Sequence, residues 1–154
     1  MKMFKRFAAA LLAGVMVLAM LTACGGGPSL GEQLESAMVD QMNNVRSEGS
    51  EKLTNDPTLR AQALAVLNKA TADGKLKQVD ITKNVLVMAE KGGPDEEGYY
   101  TLLAMTEENL AALKRPQEHN AKYDAITAFG VATRVVNGKT YLAFAMTDST
   151  QGQN

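Results

Sequence analysis

The sequence predicts an α+β fold in three layers, α-β-α, around a small antiparallel sheet. Three observations predict it: a C-terminal hairpin with two dry faces, two helical segments near the start, and a short buried strand between them and the hairpin.

The first helix is expected over about Gly31 to Ser47. Leu30, Leu34, Met38, Met42 and Val45 recur at helical spacing as one apolar stripe, with Glu32, Glu35, Asp40 and Asn43 on the remaining surface. A helix lying free on a membrane is the competing reading. Its polar face carries acids where Lys and Arg are wanted, which argues against it. The second helix opens at Asp56-Pro57, because Asp accepts backbone N–H bonds as N-cap and Pro at the first position forfeits none. Leu59, Ala63, Val66, Leu67 and Ala70 form its main stripe, widened by Ala61, Leu64 and Ala65. A stripe that broad predicts contact on more than one side, and Gly74 is the expected stop.

From Asn84 to Ala89 the pattern becomes that of a buried strand, broken by Lys91-Gly92-Gly93-Pro94. Asp95-Glu96-Glu97 reads as a solvated loop without the alternating ligands of a calcium loop. Gly98 to Met105 fits a returning strand, with a short helix as the alternative; Tyr99-Tyr100 reads as core and edge. Thr106 is the expected N-cap of a helix from Glu107 to about Lys114, with acids favourably placed in its first turn and Pro116 beyond its end.

Asn137-Gly138 is the favoured pair for a two-residue hairpin turn, since both positions need positive φ. That turn pairs Val136 with Lys139, Thr133 with Leu142, Val131 with Phe144 and Phe129 with Met146. One face then carries Phe129, Val131, Thr133, Val135, Leu142, Phe144 and Met146; the other carries Ala128, Gly130, Ala132, Ala143 and Ala145. Arg134 falls opposite Tyr141, a place for a cross-strand cation–π contact. A sheet with one wet side alternates polar and apolar residues, and this hairpin does not. Helices on both faces follow, the small-residue face admitting one closely. Two hairpins packed as a barrel is the competing arrangement.

The ends point to an address. Lys2, Lys5 and Arg6 precede an uncharged apolar stretch from Phe7 to Leu21, the pairing a secretory signal requires. The stretch is shorter than the roughly 20 residues of a spanning helix. Leu21-Thr22-Ala23-Cys24 resembles the bacterial lipobox, in which the cysteine thiol is acylated. Residues 1–23 are therefore expected as a signal peptide, 24–29 as the lipidated cysteine and a Gly-rich tether, 30–147 as one domain, and 148–154 as a polar tail. The membrane partner is reached through lipid on Cys24, on the extracytoplasmic face of the cell membrane. Cys24 is the only cysteine, so no disulfide is expected. Removing Lys2, Lys5 and Arg6 from the 16 basic residues leaves 13 against 17 acids, a net charge of −4. That balance argues against nucleic acid as a partner.

Asn43-Asn44-Val45-Arg46, then Leu53-Thr54-Asn55-Asp56-Pro57-Thr58-Leu59, then Pro116-Gln117-Glu118-His119-Asn120 ahead of Phe129-Gly130-Val131-Ala132 follow one another in a telling order. The chain resembles the CAP superfamily of cysteine-rich secretory, antigen 5 and pathogenesis-related proteins, in a disulfide-free form spanning about Leu34 to Met146. The resemblance implies an α-β-α sandwich with a cleft that, in full members, holds two His and two acidic residues. His119 matches the second family His. Lys77-Gln78-Val79 stands where the first is expected, and Thr82-Lys83-Asn84 where the family has Gly-Glu-Asn. Lys83, Asn84 and His119 are thus the candidate cleft or ligand contacts, although His119 also reads as an ordinary loop residue. A lone imidazole beside a lysine repels a cation, so no metal or other cofactor is expected. Nor does the sequence space a Ser-His-Asp or Cys-His set for catalysis. The expected role is a binding or interaction module, its partner a small apolar ligand or an envelope protein. A hydrolase rebuilt around His119 with Glu107 or Glu108, and a structural subunit of an envelope assembly, are the alternatives.

Overall fold

The computed structural model describes residues 28–149. The expected signal peptide, Cys24 and the expected tether up to Gly27 lie outside the described residues, as do residues 150–154. The chain is a mixed α+β fold: α1 (Leu30–Val45), α2 (Pro57–Leu67), β1 (Lys75–Lys77), β2 (Val85–Val87), β3 (Tyr99–Thr101), α3 (Glu107–Leu113), β4 (Ile126–Val136) and β5 (Lys139–Asp148). Short 3-10 turns at Gln78–Asp80 and Ala121–Ala125 precede β2 and β4.

The hairpin sets the frame. Asn137 and Gly138 adopt φ of 51° and 76°, and the register has Val136 opposite Lys139, Thr133 opposite Leu142, Val131 opposite Phe144 and Phe129 opposite Met146. A bulge between Ile126 and Ala128 extends β5 to Asp148, so Asp148 belongs to the sheet and not to the tail. β2 joins the far side of β5, giving the order β2-β5-β4 with β4 at the edge, while β1 and β3 form a separate antiparallel pair. Gly98 to Met105 thus opens as a strand, and no barrel forms.

Each hairpin face carries its own core. Phe129, Val131, Leu142, Phe144 and Met146 pack with Leu34, Met38, Met42 and Val45 of α1 and with Leu110 and Leu113 of α3. The Phe129 and Phe144 rings lie 5.8 Å apart, tilted by 39°, at the centre of that cluster. On the other face Ala132, Ala143, Ala145 and Tyr141 pack with Leu59, Ala63, Val66 and Leu67 of α2. Gly130 is what lets α2 approach: a Cβ there would sit 2.6 Å from the Leu59 Cβ.

Four expectations are corrected. Helix α2 ends at Leu67, because Asn68 caps it and tightened bonds from Lys69 to Val66 and from Ala70 to Leu67 turn the chain away. Gly74, at φ 80°, instead shapes the turn into β1 against the Tyr141 ring. Ala61 and Ala65 are exposed, so α2 buries one side only; alanine there serves helix propensity, not packing. Arg134 does face Tyr141 in register, yet its guanidinium donates to the Leu67 carbonyl at 2.9 Å, while the ring covered by a cation is Tyr99, under Lys77. Ser29, assigned to the tether, is the N-cap of α1, its hydroxyl accepting from the Glu32 N–H at 3.2 Å.

The α1–α2 connection is held by side chains acting on backbone. The Asn43 amide pairs with both the N–H and the C=O of Leu53, at 2.8 and 2.9 Å. Asn55 does the same to Val131, at 2.9 and 3.0 Å, and the Asp56 N–H donates to the Phe129 carbonyl at 2.8 Å. Asn55 therefore acts as a strand residue along the open edge of β4. Glu35, expected on the surface of α1, is buried and forms an ion pair at 2.7 Å with the partly exposed Arg60 of α2.

Removing the Asn55 amide leaves two peptide groups of Val131 without partners. Asn55→Ala is expected to cost about 2 kcal/mol or more by urea unfolding; a loss under about 0.5 kcal/mol contradicts this role of Asn55. Gln41, by contrast, is 1% exposed in the α1 stripe, and neither amide atom finds a partner among the described residues. Gln41→Leu is expected to raise stability by roughly 1 kcal/mol or more in the same assay.

Candidate functional site

His119 sits in an exposed stretch between α3 and β4, and the Asn120 N–H beside it donates to the Val45 carbonyl at 2.8 Å. That bond delivers the imidazole to the end of α1. There His119 Nε2 lies 2.9 Å from Ser47 Oγ and 3.3 Å from Asp124 Oδ2, with half of its side chain exposed. Ser47 grips the same carboxylate twice, its hydroxyl donating to Oδ2 at 2.5 Å and its N–H to Oδ1 at 2.6 Å. The Ser47 hydroxyl, then its N–H, with His119 adding less, hold the Asp124 carboxyl down to about 2.

Arg46, one residue earlier, fixes this corner. It is 8% exposed and donates to three carbonyls: Tyr123 at 3.2 Å, Glu51 at 2.6 Å and Ile126 at 3.1 Å. A buried guanidinium needs such acceptors, because losing water without them is costly. The end of α1, the α1–α2 loop and the start of β4 are thereby tied to one side chain.

His, Ser and Asp lie together here, but not as a nucleophile relay. In such a relay the imidazole faces the hydroxyl with one nitrogen and the carboxylate with the other. Here a single nitrogen, Nε2, faces both, and the one hydroxyl proton of Ser47 is directed at Asp124. The surroundings are open. A groove of about 280 Å³ includes Arg46, Asp56 and Asp124 in its lining, and another of about 470 Å³ includes Asn43, Arg46 and Ser47. His119 lines neither of them, nor a third groove of about 550 Å³ between α1 and Lys114.

The other sequence candidates are elsewhere. Lys83 and Asn84 stand in the turn before β2, where the Val85 N–H donates to Thr82, and neither bonds to His119. Glu107 and Glu108 occupy the first turn of α3, capped by Thr106 and Asn109, and neither reaches the imidazole. Asp95 is occupied by its own turn, accepting from the N–H groups of Glu97 and Tyr99 at 2.9 Å. Among the described residues no three His, Cys, Asp or Glu side chains converge as a metal site requires, and no helix is long and apolar enough to cross a membrane. Sequence reasoning missed Ser47 and Asp124. Their separation along the chain follows no motif; they meet because Arg46, next to Ser47, binds the carbonyls of Tyr123 and Ile126 on either side of Asp124. Comparison with models of protein families, with curated proteins and with solved structures finds no match in any of the three.

The sign of the pH effect follows from Asp124. Its folded value of about 2 lies below the ordinary 3.8, so the carboxylate stabilises the fold above the ordinary value and loses that effect as pH falls through 2. Asp124→Asn is expected to melt lower than wild type at neutral pH, with the gap closing toward pH 2. A gap that stays constant across that range contradicts the assignment.

Proposed function

We propose that this chain is a cell-surface lipoprotein, held on the extracytoplasmic face of the membrane by lipid on Cys24. Its domain is a degenerate, non-catalytic CAP-like module for binding or interaction. The observation that carries the second half is the use made of the motif residues. Asn43, Arg46 and Asp56 direct their side chains to backbone groups, and His119 to Ser47 and Asp124. Side chains so engaged are scaffold. An α-β-α sandwich of the CAP kind is supported by α1 and α3 on one face of the hairpin and α2 on the other. The partner classes that suit this reading are a small apolar ligand or an envelope protein.

The one observation favouring a hydrolase is that His119 lies within reach of a carboxylate, that of Asp124. Against it stand the open surface and the shared nitrogen described above.

Two measurements test the proposal. Expressed from its own leader in a bacterium, the chain is expected to partition into detergent with an acyl mass on Cys24, and Cys24→Ser to lose both. A wild-type chain of unmodified mass in the aqueous phase contradicts the anchor. Incubated with peptidoglycan or casein, wild type and His119→Ala are expected to release product at the same background rate. Turnover lost on that substitution restores the hydrolase.

A further inference from the structure

The hairpin turn shares one end of the molecule with the start of α1. A Cβ on Gly31 would lie 2.5 Å from the Thr133 hydroxyl oxygen, so α1 begins beside the last residues of β4. Arg46, just past the end of α1, binds the Ile126 carbonyl where β4 begins, so the two elements run in opposite directions. The Asn137 amide donates to the Ala72 carbonyl at 3.0 Å, which brings the turn after α2 to the hairpin end as well. The corner of Ser47, Asp124 and His119 stands at the other end of α1, whose 16 residues span about 24 Å.

Cys24 lies five residues before Ser29, the N-cap of α1. Five residues reach at most about 18 Å at full extension. A lipid on Cys24 therefore keeps the start of α1, and the hairpin turn beside it, close to the membrane. The tether alone leaves the tilt of the domain open, and the side chains decide it. Laying α1 flat would press the exposed Glu32, Ser36 and Asp40 onto the headgroups, a face without the Lys and Arg that favour an interface. Standing the domain on its hairpin end puts Val135 there. Val135 is 64% exposed, and Val79 is the one other large apolar side chain so open among the described residues. Around it Lys69 and Lys139 are exposed with Asp73, so neither sign of charge dominates this end.

We propose that the domain stands on the bilayer by its hairpin end, with Val135 among zwitterionic headgroups and the Ser47–Asp124–His119 corner facing outward. This orientation rests on the lipid at Cys24 proposed above. The acyl chains supply the affinity, and one partly inserted valine supplies the tilt. A partner of the outward corner then arrives from the medium or the envelope, not from the bilayer.

The test places the full chain, expressed from its own leader, on phosphatidylcholine nanodiscs doped with a gadolinium-chelating lipid, and reads the broadening of each amide signal. Intact mass first reports whether Cys24 carries lipid. Where it does not, the free thiol is coupled to a maleimide phospholipid, so that the orientation is still read. Broadening is expected to be at least ~tenfold stronger at Val135 and Gly138 than at Ser47 and Asp124, about a helix length away. Val135→Asp is expected to shrink that contrast at least ~threefold, and Val79→Asp to leave it unchanged. If Val135→Asp unfolds the domain, Val135→Ser decides in its place. Equal broadening at both ends overturns the proposal, as does a contrast that the Val135 variant leaves intact or that Val79→Asp reduces equally. A contrast seen only after thiol coupling upholds the orientation and removes the natural anchor.

Discussion

An edge strand carries peptide groups that water must solvate or protein must satisfy, and β4 is the strand on which this fold is built. Its inner side is fully paired with β5, and both its faces are covered by helices. What remains is the outer edge at Phe129 and Val131, close to two cores and shielded from water. The chain meets that constraint with a loop, not a strand: Asn55 supplies the donor and acceptor, and the Asp56 N–H completes the bridge. The same residues start α2, so one short segment closes the sheet and launches the helix that covers its small-residue face.

Everything on the polar side follows from holding that segment in place. Asn43 binds it from α1, and Arg46 binds its Glu51 carbonyl while reaching Tyr123 and Ile126 at the foot of β4. Ser47 is thereby brought to Asp124, and the carboxylate so fixed is what His119 meets. The cluster is a consequence of the closure. A surface that needs hydrogen bonds to stay folded has few side chains left for chemistry, which is what supports the non-catalytic part of the proposal.

The hairpin was legible in the sequence because its two determinants are local: Asn137-Gly138 fixes the register, and a period of two then assigns every side chain to a face. The stripe of α1 and the Asp56-Pro57 and Thr106 starts were legible for the same reason. The end of α2 was not, because apolar residues continue to Ala70, and the helix stops where the local bonds of Lys69 and Ala70 tighten and Arg134, distant in sequence, takes the Leu67 carbonyl. Gln41 stands among the apolar residues of α1 and is buried, and nothing in the structure explains a polar side chain there. The motif residues Asn43 and Arg46 could be found by resemblance, but not their task, since a side chain that grips backbone leaves no pattern at the gripped position. Asp124 was invisible as a partner for His119, because its significance depends on Ser47 at the far end of the domain.

Amide hydrogen exchange at Val131, compared residue by residue with its neighbours on β4, tests the closure most directly. The Val131 N–H faces away from β5 and has Asn55 as its partner, so it is expected to exchange as slowly as Ala132, which is bonded within the sheet. Thr133 and Val135, facing the same way without a partner, are expected to exchange fast in the dilute protein. Fast exchange at Val131, matching Thr133, contradicts the account: the edge would then be open, and the loop would not be what holds the fold together.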